Sequence, residues 1–226
     1  MYTFKKLLVT LFFLFLPVSV FAGADSIVSV LNDGNKGEWS LRKKTDEGYQ
    51  LKYKNPKGVD FINDSIIDQE LNEADISLSK LSSDIVSLVM NYPRDVYSFN
   101  FSSAEVPHIL SACKQINLSA IDDSQAATIM VLCSKSSVLN NEGFTKLNAK
   151  QLLSPNNLYL DGKVKVAIEN EKAFLFDDDN VQMKNRPYLI KGNVVEVLEY
   201  QNSMLKIKYT GKKKDVLGWI KFSDIL

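Results

Sequence analysis

The chain of 226 residues carries one histidine and two cysteines. Transition-metal coordination therefore has almost no ligands to draw on. Lysine plus arginine equals aspartate plus glutamate at 27 each, so the concentrated basic face of a nucleic-acid binder is missing. No glycine-rich phosphate loop, HExxH helix or Gly-x-Ser-x-Gly elbow occurs. After the first two dozen residues no apolar run approaches the roughly 20 residues of a spanning helix. These absences set the expectation of a protein that is not an enzyme, holds no metal or cofactor, binds no nucleic acid and spans no membrane once its leader is removed.

That leader is what the N-terminus supplies. Met1 to Ala24 places Lys5 and Lys6 before an apolar run from Leu7 to Leu16 and then small residues, the pattern of a secretory signal peptide. Val20-Phe21-Ala22 and Ala22-Gly23-Ala24 both satisfy the small-x-small rule, so cleavage after Ala22 or after Ala24 is expected. A periplasmic or secreted location follows. Residues 25–160 carry 13 basic and 17 acidic side chains, and 161–226 carry 12 and 10, so neither half is strongly charged. Lys212-Lys213-Lys214 reads as a solvated turn, and so does Asp177-Asp178-Asp179, which lacks the spaced ligands of a calcium loop. Asp68, Glu70, Glu73 and Asp75 could hold a carboxylate pair for glycan hydrolysis, but fit better as the acidic lead-in to a helix at Ile76.

Cys113 and Cys133 are the only cysteines, and in an exported chain their default is a disulfide. Ile109, Leu110, Cys113 and Ile116 share one helical face, and Ala126, Ile129, Met130 and Cys133 share another. Asp122 and Gln125 have the spacing of a capping box that starts the second helix. The cysteines are equidistant from Asp123, as partners in an antiparallel helix hairpin should be. The competing reading, His108 activating a Cys113 thiolate, places the two five residues apart, pointing in different directions on a helix.

Around this hairpin, Trp39 to Leu41 and Tyr49 to Tyr53 alternate as a β-hairpin about Lys44 to Gly48. Leu78, Leu81, Ile85, Leu88, Val89 and Tyr92 fall on a helical stripe stopped by Pro93, and Tyr97, Phe99 and Phe101 alternate as a strand. Phe144 to Leu153 reads as a short final helix. After Asn157 the pattern changes to short strands: Val164, Val166 and Ile168 share a face, as do Leu205, Ile207 and Tyr209, with Lys206 and Lys208 opposite. Gly192-Asn193, Gln201-Asn202-Ser203 and Gly211-Lys212 mark turns, which suggests a small, partly open barrel.

The run from Lys172 to Phe176, the segment from Arg186 to Leu198 with its Tyr188-Leu-Ile-Lys-Gly192 turn, Leu205 to Tyr209, and Gly218-Trp219-Ile220 together resemble the bacterial SH3-like (SH3b) domains of exported proteins. The resemblance covers residues 163–226. It implies a module that binds peptidoglycan or another envelope protein. Leu205 stands where these domains often carry a tryptophan, and no PxxP-binding loop is present. The expected fold class is thus α+β, with a signal peptide over 1–24, a mixed domain with a helix hairpin over 25–157, and an SH3-like β-barrel over 158–226.

The function expected from these readings is an exported, non-catalytic binding protein of the bacterial envelope. The alternative is a periplasmic inhibitor or immunity protein that blocks a wall-degrading effector, with the loop from Phe176 to Asn180 as its plug. Tyr188, Tyr200, Tyr209 and Trp219 are the candidate contacts, because aromatic faces pack on sugars and on apolar stem-peptide atoms. For Trp219, strict alternation sets Leu217 and Trp219 on one face and Val216, Gly218 and Ile220 on the other. Three fates stay open: a core plug re-aimed by a bulge at Gly218, a cover beneath the N-terminal domain, or an exposed platform.

Overall fold

The structure, a computed structural model, describes residues 26–32, 37–44, 48–121, 126–211 and 214–226. The expected signal peptide, the turn at 45–47, the capping box of Asp122 and Gln125, and Lys212 with Lys213 lie outside these residues. Among the described residues strands hold 53% and helical turns 11%, which replaces the expected α+β class with a mostly-β architecture.

The first sheet is an antiparallel meander of β1 (Ser26–Asn32), β2 (Glu38–Lys44), β3 (Gly48–Lys54) and β4 (Asp60–Asn63). The expected hairpin is β2–β3: Trp39 lies opposite Tyr53 and Leu41 opposite Leu51, all four fully buried. The second sheet has β5 (Ile76–Lys80), β6 (Ile85–Asn91), β7 (Asp95–Ser102), β8 (His108–Leu118), β9 (Thr128–Ser134) and β10 (Leu158–Leu160), each hydrogen-bonded to the next. The alternating strand expected around Tyr97, Phe99 and Phe101 is β7.

Two expected helical features are strands in this sheet. The stripe from Leu78 to Tyr92 is the β5–β6 hairpin; its buried series is Val86, Leu88 and Met90, with a period of two, while Leu81 is 59% exposed beyond the end of β5. The helix hairpin carrying the cysteines is the β8–β9 pair. Its helical appearance has a local cause. Phe101 pairs with Ile109 and Asn100 with Ser111, so Leu110 is the extra residue of a bulge. That insertion spaces the buried Ile109, Ala112 and Ile116 by three and then four positions, which imitates a helix.

Among the described residues helical structure is confined to short turns. The two α-helices, α1 (Ser136–Leu139) and α2 (Ala149–Leu152), have four residues each. The helix expected from Phe144 to Leu153 is split into a 3-10 turn at Phe144–Lys146 and α2. Asn148 restarts it, its side-chain oxygen accepting hydrogen bonds from the N–H groups of Lys150 and Gln151.

Past β10 come β11 (Val164–Ala167), β12 (Lys172–Phe174), β13 (Tyr188–Ile190), β14 (Val194–Gln201), β15 (Met204–Thr210) and β16 (Asp215–Lys221). They form a four-stranded sheet, β11-β14-β15-β16, and a two-stranded β12–β13 ribbon. Asn202 and Ser203, both at positive φ, make the tight turn between β14 and β15. The expected small, partly open SH3-like barrel is replaced by this sheet and ribbon, which do not close into a barrel. The ribbon is tied to the β16 edge by the Phe176–Trp219 bridge, whose two backbone hydrogen bonds are 2.8 and 2.9 Å, while β11 stays at the other edge of its sheet.

Two cores hold these parts together. The first joins the N-terminal four-stranded sheet to the six-stranded sheet through Trp39, Leu41, Leu51, Tyr53, Leu88, Phe99 and Phe101. The second unites Ile116, Leu118, Met130, Leu132 and Leu158 of the six-stranded sheet with Val166, Val197, Leu205, Ile207 and Ile220 of the C-terminal sheet. Along β8 the inward residues pass from the first core at Ala112 to the second at Ile116 and Leu118. Among the described residues no helix is long and apolar enough to cross a membrane.

Candidate binding surface

The β12–β13 ribbon has two dissimilar faces because its strands alternate strictly. Ala173 and Leu189 pair at its centre and are buried against the second core. The flanking pairs, Lys172 with Ile190 and Phe174 with Tyr188, therefore point the other way. Phe174 is 36%, Tyr188 46% and Ile190 52% exposed. The Phe174 and Tyr188 rings meet edge to face with centroids 5.9 Å apart, and the Lys172 ammonium lies 5.0 Å from the Tyr188 ring centroid. Beyond the strand, the turn that returns to β14 is held by Gly192 at φ +81° and by Asn193, whose side-chain oxygen accepts from the Ile190 N–H. The result is an aromatic and aliphatic face with one cation, mounted on a ribbon whose other side is packed.

The remaining expected contacts are placed elsewhere. Tyr200 is buried in the second core, edge to face with Phe222, and Tyr209 packs half-buried against the same core. Trp219 is 5% exposed, yet β16 pairs with β15 without a register shift, so no bulge re-aims it. It lies on the face away from Ile220 and outside the second core. What covers it is the chain from Phe176 to Asp178. The indole N–H donates to Asp178 Oδ1 at 2.9 Å, and Lys206 sits 5.5 Å from the ring centroid while pairing with the same carboxylate at 3.0 Å. The indole bond first, then the bond and charge of Lys206, hold the Asp178 carboxyl below its ordinary value. Gly218 serves this closure by leaving room: a Cβ there would stand 3.0 Å from the Met183 methyl and 3.3 Å from the Phe176 carbonyl oxygen.

Of the four expected contacts, then, only Tyr188 lies on an open aromatic face. Phe174, Ile190 and Lys172 were missed as its companions; the available signal was the small Ala173 between two large outward neighbours, opposite Leu189. The disulfide is present, joining Cys113 and Cys133 as direct partners across β8 and β9 with Cα atoms 4.1 Å apart. Neither thiol is free. No family model matches the chain, nor does any curated protein or solved structure.

Proposed function

We propose that this chain is a non-catalytic binding protein exported to the bacterial envelope, and that its C-terminal sheet and ribbon recognise peptidoglycan or an envelope protein. The observation that carries the reading is the exposed Phe174, Tyr188 and Ile190 face on a ribbon anchored from behind by Ala173 and Leu189. Burying a contiguous apolar face on a partner is favourable, and edge-to-face rings offer flat surfaces to sugar rings and to apolar peptide atoms. The SH3b-like sequence pattern of residues 163–226 supports the same assignment. The Cys113–Cys133 bond fits an oxidising compartment, in keeping with export.

The inhibitor alternative loses part of its basis, because two of the three loop carboxylates are engaged internally. Asp177 accepts from the N–H groups of Asp179 and Val181, and Asp178 is held by Trp219 and Lys206. The test is sedimentation of the purified protein with isolated sacculi and, in parallel, capture of envelope proteins from a periplasmic extract. The paired change Phe174→Ala and Tyr188→Ala should reduce whichever binding is seen by about tenfold or more while leaving the melting temperature nearly unchanged. Undiminished binding by that variant would remove the ribbon from the reading.

A further inference from the structure

A second site lies away from the ribbon, in a cleft of about 550 Å³ lined from three directions. One wall is the segment that follows β4, with Asp64, Ile67, Asp68 and Glu70; Tyr92 and Tyr97 form the second; α2 and the turn after it form the third, with Lys150, Leu153 and Pro155. Leu153 packs against both cores, so the cleft opens where they meet. Such seams are where small-molecule sites concentrate, and the volume lies in the usual range for them.

The walls are held in place before any ligand arrives. Asn63 Oδ1 accepts from the N–H groups of Ser65 and Ile66, and its amide donates to the carbonyls of Phe144 and Leu147, tying the first wall to the third. The Gln69 side chain accepts from the Tyr49 N–H and donates to the carbonyls of Tyr49, Asp64 and Ile67. The two tyrosine rings are in contact, with centroids 4.6 Å apart and planes tilted by 45°, and the Tyr92 hydroxyl donates to Asp68 at 3.1 Å. Burial first, and then the Asp68 charge, push the Tyr92 hydroxyl well above its ordinary value, so it stays a donor.

The charges are unequally used. Asp64 is occupied by Gln50 at 2.8 Å and Lys44 at 3.1 Å. Among the described residues, neither Asp68 nor Glu70 has a basic partner, and Lys150 on a different wall has no acidic one. A ligand with an ammonium at one end, a carboxylate at the other and an apolar body between would satisfy all three and lie on the tyrosine rings. We infer that the cleft binds a small zwitterion, a free amino acid or the end of a short peptide, with its ammonium at Asp68 and Glu70, its carboxylate at Lys150 and its apolar side chain against Tyr92 and Tyr97.

The experiment titrates the full chain with the dipeptide leucyl-alanine, followed by two-dimensional amide NMR, which also reports whether each variant is folded. Expected are saturable shifts at 64–70, Tyr92, Tyr97 and 148–155. Acetylating the amine of the probe should weaken binding about tenfold, as loss of one charge-assisted contact does, and amidating its carboxylate should do likewise. Glu70→Gln should blunt the penalty of acetylation, and Lys150→Ala that of amidation; both residues are exposed, so neither change threatens the fold. The inference is overturned by an absence of saturable shifts at these positions up to millimolar probe, or by a probe lacking both charges that binds as well as the free dipeptide.

Discussion

Trp219 is held by partners that arrive from two other segments. β15 supplies Lys206, and the stretch after β12 supplies the Phe176 backbone and Asp178. A parity argument on Val216 to Ile220 correctly separates the indole from Ile220, but cannot see a cover that lies some forty positions away in the chain. This arrangement has a pH signature. The Asp178 carboxyl sits below its ordinary value of 3.8 in the folded protein, so its contribution is present above that value and is lost as pH falls through the lowered one. The indole N–H resonance of Trp219 should therefore hold its position from neutral pH to about pH 4, move only in stronger acid, and lose this acid step in Asp178→Ala. Movement centred at or above the ordinary carboxylate value would mean that the cap does not form. Phe174, Tyr188 and Ile190 were within reach of the sequence, because alternation about Ala173 and Leu189 is enough to turn all three outward.

At the scale of elements, the hairpin about position 123 was read in the right place and in the wrong form. Equidistance of Cys113 and Cys133 from the turn follows from antiparallel pairing of any kind, and the register holds it in strands: Cys113 faces Cys133 just as Leu118 faces Thr128. The element type was misread because of one inserted residue, Leu110, and because Leu78, Leu81 and Ile85 mimic a helical stripe across a hairpin turn. Hydrophobic spacing over a dozen residues cannot separate a bulged strand from a helix. The disulfide closes a loop between cysteines 20 positions apart. In the chain-entropy view, the double change Cys113→Ser and Cys133→Ser should cost ~3 kcal/mol, read from urea unfolding with and without reductant. Wild type in reductant should approach the variant; a variant as stable as the oxidised protein would show that the loop is already constrained by the strand ladder alone.

For the whole molecule, the six-stranded sheet is the common support. Its inner residues serve the first core along β6 and β7 and the second along β9, with β8 contributing to both. Damage to one core should accordingly be felt across the molecule. Met130→Ala, fully buried in β9, should cost about 2–5 kcal/mol and lower a single calorimetric transition as a unit. Two separated transitions, with only one displaced, would show that the cores melt independently. The cleft at Tyr92 and Tyr97 belongs to this scale as well, since its walls are 64–70, the β6–β7 turn with the start of β7, and α2 with the turn after it, brought together only when both cores form.

What the sequence determined by itself is local: the hairpin of Trp39 and Tyr53, the alternation of β7 and β15, the turns at Gly192 and Asn202, and the pairing of two cysteines placed symmetrically about one turn. Each depends on neighbours within a hairpin, where backbone periodicity and turn chemistry act. Tertiary structure alone decided that β8 and β9 are strands, that the C-terminal strands form an open sheet with a separate ribbon, that Trp219 is capped by Asp178, and that Asp68, Glu70 and Lys150 share a cleft. Those outcomes turn on which apolar faces are buried against each other, and burial between distant segments leaves no periodic trace in either one.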